Sequence, residues 1–129
     1  MDGEEASRLA EEFLSAWNSQ EVDRVISCYT QDCVYLDPNI KKPIIGHKAL
    51  RRYLTRLFRR WKMEWSLKEM FRFADGEGVA FLWHARLTPV PGGGVVERDG
   101  MDLAVVRGQR LCRNEVYFDR LGLNIRSGQ

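Results

Sequence analysis

The chain has 129 residues, 44% of them hydrophobic and 29% charged, with a formal net charge of +2. That size admits one domain with a real core and excludes two, and that composition excludes a disordered chain. No apolar run reaches the length of a membrane span, and residues 1–5 are acidic where a secretory signal is basic and then apolar. A soluble, cytoplasmic, single domain over residues 1–129 is therefore expected.

Asp2, with Glu5 three residues on, reads as a capping box that opens a helix; Leu9, Ala10, Phe13, Leu14 and Trp17 follow as one apolar stripe. Asn18-Ser19 breaks it, and Ser19 can cap a shorter helix with Val22, Val25, Ile26 and Tyr29 on its inner face. Residues 33–37 read as a short strand stopped by Pro38, which biases Asp37 towards extended geometry. A loop containing Pro43 and Gly46 leads to a third helix, on which Leu50, Leu54, Leu57, Phe58 and Trp61 recur at helical spacing. Strands follow. Trp65, Leu67, Phe71 and Phe73 alternate with Glu64, Ser66, Lys68 and Arg72, and Asp75-Gly76-Glu77-Gly78 turns the chain. The next strand, residues 79–88, has Val79, Phe81, Trp83, Ala85 and Leu87 on one face and Ala80, Leu82, His84 and Arg86 on the other. Two further strands, about residues 95–106 and 109–118, meet at a tight turn at Arg107-Gly108. Helices first and hairpins afterwards give an α+β fold with a mainly antiparallel sheet.

Charge is unevenly spread. Residues 1–40 carry nine acids and two bases, whereas residues 41–62 carry nine bases and no acid. With Leu50 turned inwards, Lys48, Arg51, Arg52, Arg56, Arg59 and Lys62 fall on the opposite face of the third helix, as a solvated face or a docking patch for an anionic partner. No aromatics interleave with them and no nucleic-acid motif accompanies them, so nucleic acid is disfavoured as a partner. Cys28, Cys33 and Cys112 lack paired spacing and read as small buried thiols in a reducing compartment. His47 and His84 have no partner at metal-ligand spacing, so no metal is assigned, and nothing in the sequence calls for a cofactor.

A period of two puts Asp102, Ala104 and Val106 on one face of their strand and Met101, Leu103 and Val105 on the other; Arg113, Glu115 and Tyr117 share a face of the last strand. Both faces of the middle strands are substantially apolar, with ionisable groups interrupting one. That pattern suggests a sheet covered by helices around a cavity on one side and by a second subunit on the other. Val79, Phe81, Trp83, Leu103 and Val105 form the expected outer face of a homodimer.

The order of elements, with Phe13-Leu-Ser-Ala-Trp17-Asn18, Tyr35-Leu-Asp37-Pro38, Gly46-His-Lys-Ala-Leu50 and Gly108-Gln-Arg-Leu-Cys-Arg-Asn-Glu-Val-Tyr-Phe-Asp119, resembles the nuclear transport factor 2-like superfamily. The likeness spans roughly residues 5–122 and is greatest to its ketosteroid isomerase and SnoaL-like branches. It implies a cone of N-terminal helices over a strongly curved sheet enclosing a pocket, and a dimer. It implies that Asp37 occupies the place of the isomerases' carboxylate base, and Asp102 that of a protonated aspartic acid that donates to an oxyanion. The isomerases' other oxyanion donor, a first-helix tyrosine, corresponds to Phe13, and the catalytic aspartate of limonene-epoxide hydrolases corresponds to Val116. The resemblance also turns the face bearing His84 and Arg86 towards the cavity.

Each candidate has a plainer alternative. Asp37 before Pro38 can be a turn initiator, and Asp102 a rim carboxylate paired with Arg86 or Arg113. His84 titrates in the right range for proton transfer but can be structural; Tyr117 can supply the hydroxyl that Phe13 lacks or be a core aromatic with a wet tip. Catalytic candidates are thus Asp37, Asp102, His84 and Tyr117. Phe13, Trp17, Trp61 and Leu82 are candidates to line an apolar ligand pocket, with Arg86, Arg113 and Glu115 as polar contacts. The leading expectation is a cofactor-free acid–base isomerase, aldol-type cyclase or dehydratase acting on a hydrophobic carbonyl compound. The alternatives are a non-catalytic binding module of the same fold, and a module that binds an anionic partner through the basic helix at residues 47–62.

Overall fold

In the computed structural model of the chain, which describes residues 1–121, Asp2 opens the first helix as a complete capping box. Its carboxylate accepts from the Glu5 N–H at 2.8 Å, and the Glu5 carboxylate accepts from the Asp2 N–H at 3.0 Å. This helix, α1 (Gly3–Ser19), buries Ala6, Ala10, Phe13, Leu14, Ala16 and Trp17 on one face and ends at Gln20, which adopts φ 53°. The second helix, α2 (Val22–Ile26), is a single short turn, so Tyr29 opens the first strand and does not close a helix.

The remaining elements are β1 (Tyr29–Leu36), the two-residue β2 (Ile44–Ile45) inside the expected loop, α3 (Gly46–Arg60), β3 (Trp61–Arg72), β4 (Gly78–Pro89), β5 (Val96–Arg107) and β6 (Arg110–Phe118). They form one six-stranded sheet in the order β2-β1-β6-β5-β4-β3. Every neighbouring pair is antiparallel except β1 with β6. The architecture is α+β, with the N-terminal helices packed on one face of a curved, mostly antiparallel sheet. Among the described residues no helix is long and apolar enough to cross a membrane.

Helix α1 reaches β3, an edge strand whose outer backbone groups would otherwise lack partners. Two amides at its C-terminal end supply them. The Asn18 side chain donates to the Trp65 carbonyl and accepts from the Trp65 N–H (3.0 and 2.7 Å), and Gln20 does the same for the Trp61 carbonyl and Met63 N–H (2.9 and 2.8 Å). The helix is thereby held at a fixed register on the sheet, with Phe13 against Phe81 of β4 and Trp17 against Trp65 of β3. At the other end of the sheet, Gly108 and Gln109 take φ 60° and 67° in the two-residue turn between β5 and β6, the left-handed pair that matches strand twist.

Cross-strand register settles which sheet face is inner. Phe81 pairs with Asp102, Val79 with Ala104, and Ala104 with Asn114, so these residues share the buried side. Val79, Phe81, Trp83, Ala85 and Leu87 are 8% exposed or less. Three of the five residues expected on a dimer face, Val79, Phe81 and Trp83, are therefore core; Leu103 and Val105 lie on the outer face, opposite Glu115 and Arg113. The physical reason is area: the strand face with the larger aromatic side chains gains most from burial under the helices. A second departure lies in β3. A register shift between Leu67 and Glu69 reverses the alternation, so that Met70 pairs with Phe81 on the core side while Phe71 is 55% exposed.

Candidate active site

Tyr35 and Asp37 leave the end of β1 two residues apart, so both point to the same side. Asp37 is 5% exposed and accepts three hydrogen bonds. The Tyr35 hydroxyl (2.6 Å) and the Tyr53 hydroxyl from α3 both donate to Oδ2, and the Asn39 N–H donates to Oδ1 at 2.7 Å. Burial, and then the Asp37 charge, raise both phenols above the ordinary tyrosine range, so both stay protonated as donors. A carboxylate offers about four lone-pair directions. Three are occupied, and among the described residues one lone pair of Oδ1 has no donor.

Asp102 lies on β5, also 5% exposed. The Trp83 indole N–H donates to its Oδ1 at 2.7 Å and the Asn114 amide to its Oδ2 at 3.0 Å. Asn114, itself fully buried, accepts from the Tyr29 hydroxyl at 2.8 Å, which orients its amide towards Asp102. Gly100 makes this arrangement possible. A Cβ there would lie 2.4 Å from the Trp83 ring, so only glycine lets the indole lie across β5 and reach the carboxyl. Burial pushes the Asp102 carboxyl up to about 7; the Asn114 and Trp83 bonds oppose that rise, and the Asp37 charge adds to it.

Both carboxyls line one cavity with Phe13, Trp17, Trp65 and Phe118, among other apolar side chains. The free space of this cavity is about 50 Å³, small beside the several hundred Å³ of an ordinary ligand pocket, because aromatic rings line it. Trp17 stacks on Tyr35 with ring centroids 6.3 Å apart, and Trp65 meets Trp83 edge-on at 4.7 Å. The Trp65 indole N–H is buried with no acceptor among the described residues. Beside this cavity lies a surface cleft of about 400 Å³ that shares Asn39, Leu57, Met63 and Leu87 as common walls.

The sequence matches the SnoaL-like domain family over residues 10–114. The chain belongs to the SnoaL-like domain family. Comparison with curated proteins finds no match. Among solved structures, a Bacillus subtilis protein proposed to be an isomerase superposes with a TM-score of 0.87 at 16% identity, covering 99% of this chain and 96% of that one. A nuclear transport factor 2-like protein of unknown function from Burkholderia pseudomallei gives 0.81 at 16% identity, covering 97% of each chain. The epoxide hydrolase/cyclase-like enzyme SalBIII, which acts in pyran ring formation in the polyether salinomycin, gives 0.82 at 18%, covering 93% of this chain and 95% of that one. At these identities the likeness is one of fold.

Within this SnoaL-like domain the residues singled out from sequence divide by sheet face. Asp37, Asp102, Phe13 and Trp17 line the cavity, and Trp61 lines the neighbouring cleft. Leu82, His84 and Arg86 lie on the outer face, against the expectation that this face meets the cavity. His84 is 38% exposed and held between Asp99 (2.8 Å) and Glu97 (2.7 Å), which raise its pKa. Arg86 approaches Glu97 at 3.7 Å. Arg113, Glu115 and Tyr117 are outer too: Arg113 and the Tyr117 hydroxyl both donate to Glu115, and Tyr117 is 50% exposed, so its hydroxyl does not stand in for the one Phe13 lacks. Asp102 is paired with neither Arg86 nor Arg113. The residues missed from sequence are Tyr35, Tyr53, Trp83, Asn114 and Trp65. For Tyr35 a signal existed, since a spacing of two from Asp37 on a strand puts both on one face. Among the described residues no three His, Cys, Asp or Glu side chains gather as a metal site.

The Asp102 environment has a consequence for stability. Its folded pKa, about 7, lies above its unfolded value, so between about pH 4 and pH 7 the folded state keeps a proton that the unfolded state has lost. Stability from this group therefore falls as pH rises through that window, by roughly 1.4 kcal/mol per pH unit. Urea unfolding from pH 4 to 8 is expected to show wild type losing on the order of 3–4 kcal/mol relative to Asp102→Asn. Parallel pH profiles would contradict the assignment.

Proposed function

We propose that this chain is a cofactor-free acid–base enzyme of the isomerase, aldol-type cyclase or dehydratase kind, acting on a hydrophobic carbonyl compound. The observation that carries the reading is two buried carboxyls in one aromatic cavity whose surroundings differ. Asp37 is held by three donors, while Asp102 is pushed up to about 7 by burial. The first suits a base and the second an acid that stays protonated to donate a hydrogen bond.

In this reading Asp37 Oδ1 takes a proton from the carbon next to the ligand carbonyl, and the C–H electron pair moves onto the carbonyl oxygen. Protonated Asp102 donates to that oxygen, with Trp83 and Asn114 fixing the carboxyl from both sides. The buried indole N–H of Trp65 serves as the second donor, a role that Phe13 has no hydroxyl to fill. The enolate then takes the proton back from Asp37 at another carbon, or attacks a second carbonyl whose new alkoxide takes that proton, or expels a β-hydroxyl that leaves as water with it. A non-catalytic binding module is the second reading, favoured by the small free volume around the carboxyls and by the tyrosines that already occupy Asp37 Oδ2.

The test uses methyl 5-oxo-5-phenylpentanoate, a neutral aryl ketone, in D2O. Wild type is expected to accelerate deuterium uptake at the carbon beside the ketone, and Asp37→Asn to lose that acceleration by about 100-fold or more with binding retained. Equal exchange rates in the two proteins would remove Asp37 as the base; binding without exchange in wild type selects the second reading.

A second copy of the chain on the outer sheet face belongs to the same proposal. Leu82 stands opposite Met101 there, with Leu103 and Val105 beside them and the Arg113–Glu115 pair at the margin. Sedimentation equilibrium is expected to return twice the chain mass, and Leu103→Glu to return one; a wild-type monomer at every concentration removes the dimer.

A further inference from the structure

The basic run of residues 41–62 has a destination in the fold. On α3, Tyr53, Arg56, Leu57 and Arg60 stand at i, i+3, i+4 and i+7, one stripe of the helix, and all four line the cleft beside the cavity. Tyr53 marks the inner end of this stripe, because its hydroxyl donates to Asp37. Arg56 and Arg60 follow about 4.5 and 10.5 Å further along the helix axis, at 1.5 Å per residue. Arg120, just after β6, lines the same cleft, and its charge is felt at the Tyr53 hydroxyl.

The cleft is cationic and short of acceptors. Among the described residues no carboxylate lines it, and neither Arg56 nor Arg120 forms an ion pair. Arg120 Nε is buried with no hydrogen-bond partner among the described residues. A guanidinium nitrogen in that state costs free energy until it meets an acceptor, and a planar guanidinium matches a carboxylate best. The remaining walls, Trp61, Leu57, Met63 and Leu87, are apolar.

We infer that the ligand is a hydrophobic keto acid, its carbonyl between Asp37 and Asp102 and its carboxylate between Arg120 and Arg56. This deepens the small-molecule reading above and rests on it. The two ends are set apart by the helix: one to two turns of α3 separate the residue that touches Asp37 from the arginines, so the carboxylate lies roughly 5–10 Å from the carbonyl. The aromatic cavity is too full to take a large ring system, which makes the cleft the place for most of the ligand.

Binding is read from quenching of tryptophan fluorescence by 5-oxo-5-phenylpentanoate and by its methyl ester, on wild type, Arg120→Gln, Arg56→Gln and the double variant. The acid is expected to bind wild type at least tenfold tighter than the ester, with the preference shrinking as salt is raised. Each single substitution is expected to weaken the acid severalfold and the double to abolish the preference, while the ester is unchanged. Ester binding with no preference for the acid, or a preference that survives in the double variant, overturns the inference and leaves the pocket reading standing. If neither compound binds, both fall. Arg56 is on an exposed helix face, so its variant reports on the cleft even if Arg120→Gln disturbs packing.

Discussion

Burying one carboxyl under the helices is the constraint around which the inner face of this sheet is arranged. A charged Asp102 at that depth costs several kcal/mol, and the protein meets the cost with two donors and a raised pKa instead of a counter-ion. Each donor needs its own support. Trp83 reaches across β5 only because Gly100 has no side chain, and Asn114 presents its amide only because Tyr29 engages its carbonyl oxygen. Tyr29 packs in turn against Phe13 of α1, so the polar chain ends in the aromatic core. A change at any link alters the proton affinity of Asp102 without touching it.

Asp37 is solved differently. It sits at the end of β1 where α3 crosses, and hydroxyls from both elements converge on one of its oxygens. The same helix then carries arginines outwards along the cleft, so one element holds the carboxylate and provides the cationic stripe beside it. The uneven charge of the sequence finds part of its explanation in that placement. Two of the nine bases in residues 41–62 line the cleft, and a third, Arg51, pairs with Asp23.

Much of the fold was legible because its signals are local. The Asp2–Glu5 capping box, the apolar stripes of α1 and α3, and the tight turn after β5, which falls at Gly108-Gln109 and so one residue later than the sequence places it, each follow from residues within a few positions of one another. The face assignment was not, since alternation says which residues share a side but not which side is covered. Val79, Phe81 and Trp83 are as consistent with a dimer face as with a core until the helices are placed. Turning over β4 and β6, but not β5, carried His84, Arg86, Leu82, Arg113, Glu115 and Tyr117 to the wrong side of the sheet. Asp37 and Asp102 were found from the resemblance, whereas their partners were not, because Tyr53, Trp83 and Asn114 come from elements distant in sequence. The bulge in β3 is likewise silent in the sequence, although it decides that Met70 and not Phe71 is inside.

The proton affinity of Asp102, raised by its burial on the inner face of the sheet, is the property on which the acid–base reading depends. A carbon-13 NMR titration of aspartate side-chain carboxyls, assigned with Asp37→Asn and Asp102→Asn, measures it directly. The Asp102 signal is expected to titrate with a midpoint near 7. A midpoint near 4, the ordinary value for an exposed aspartate, would contradict it.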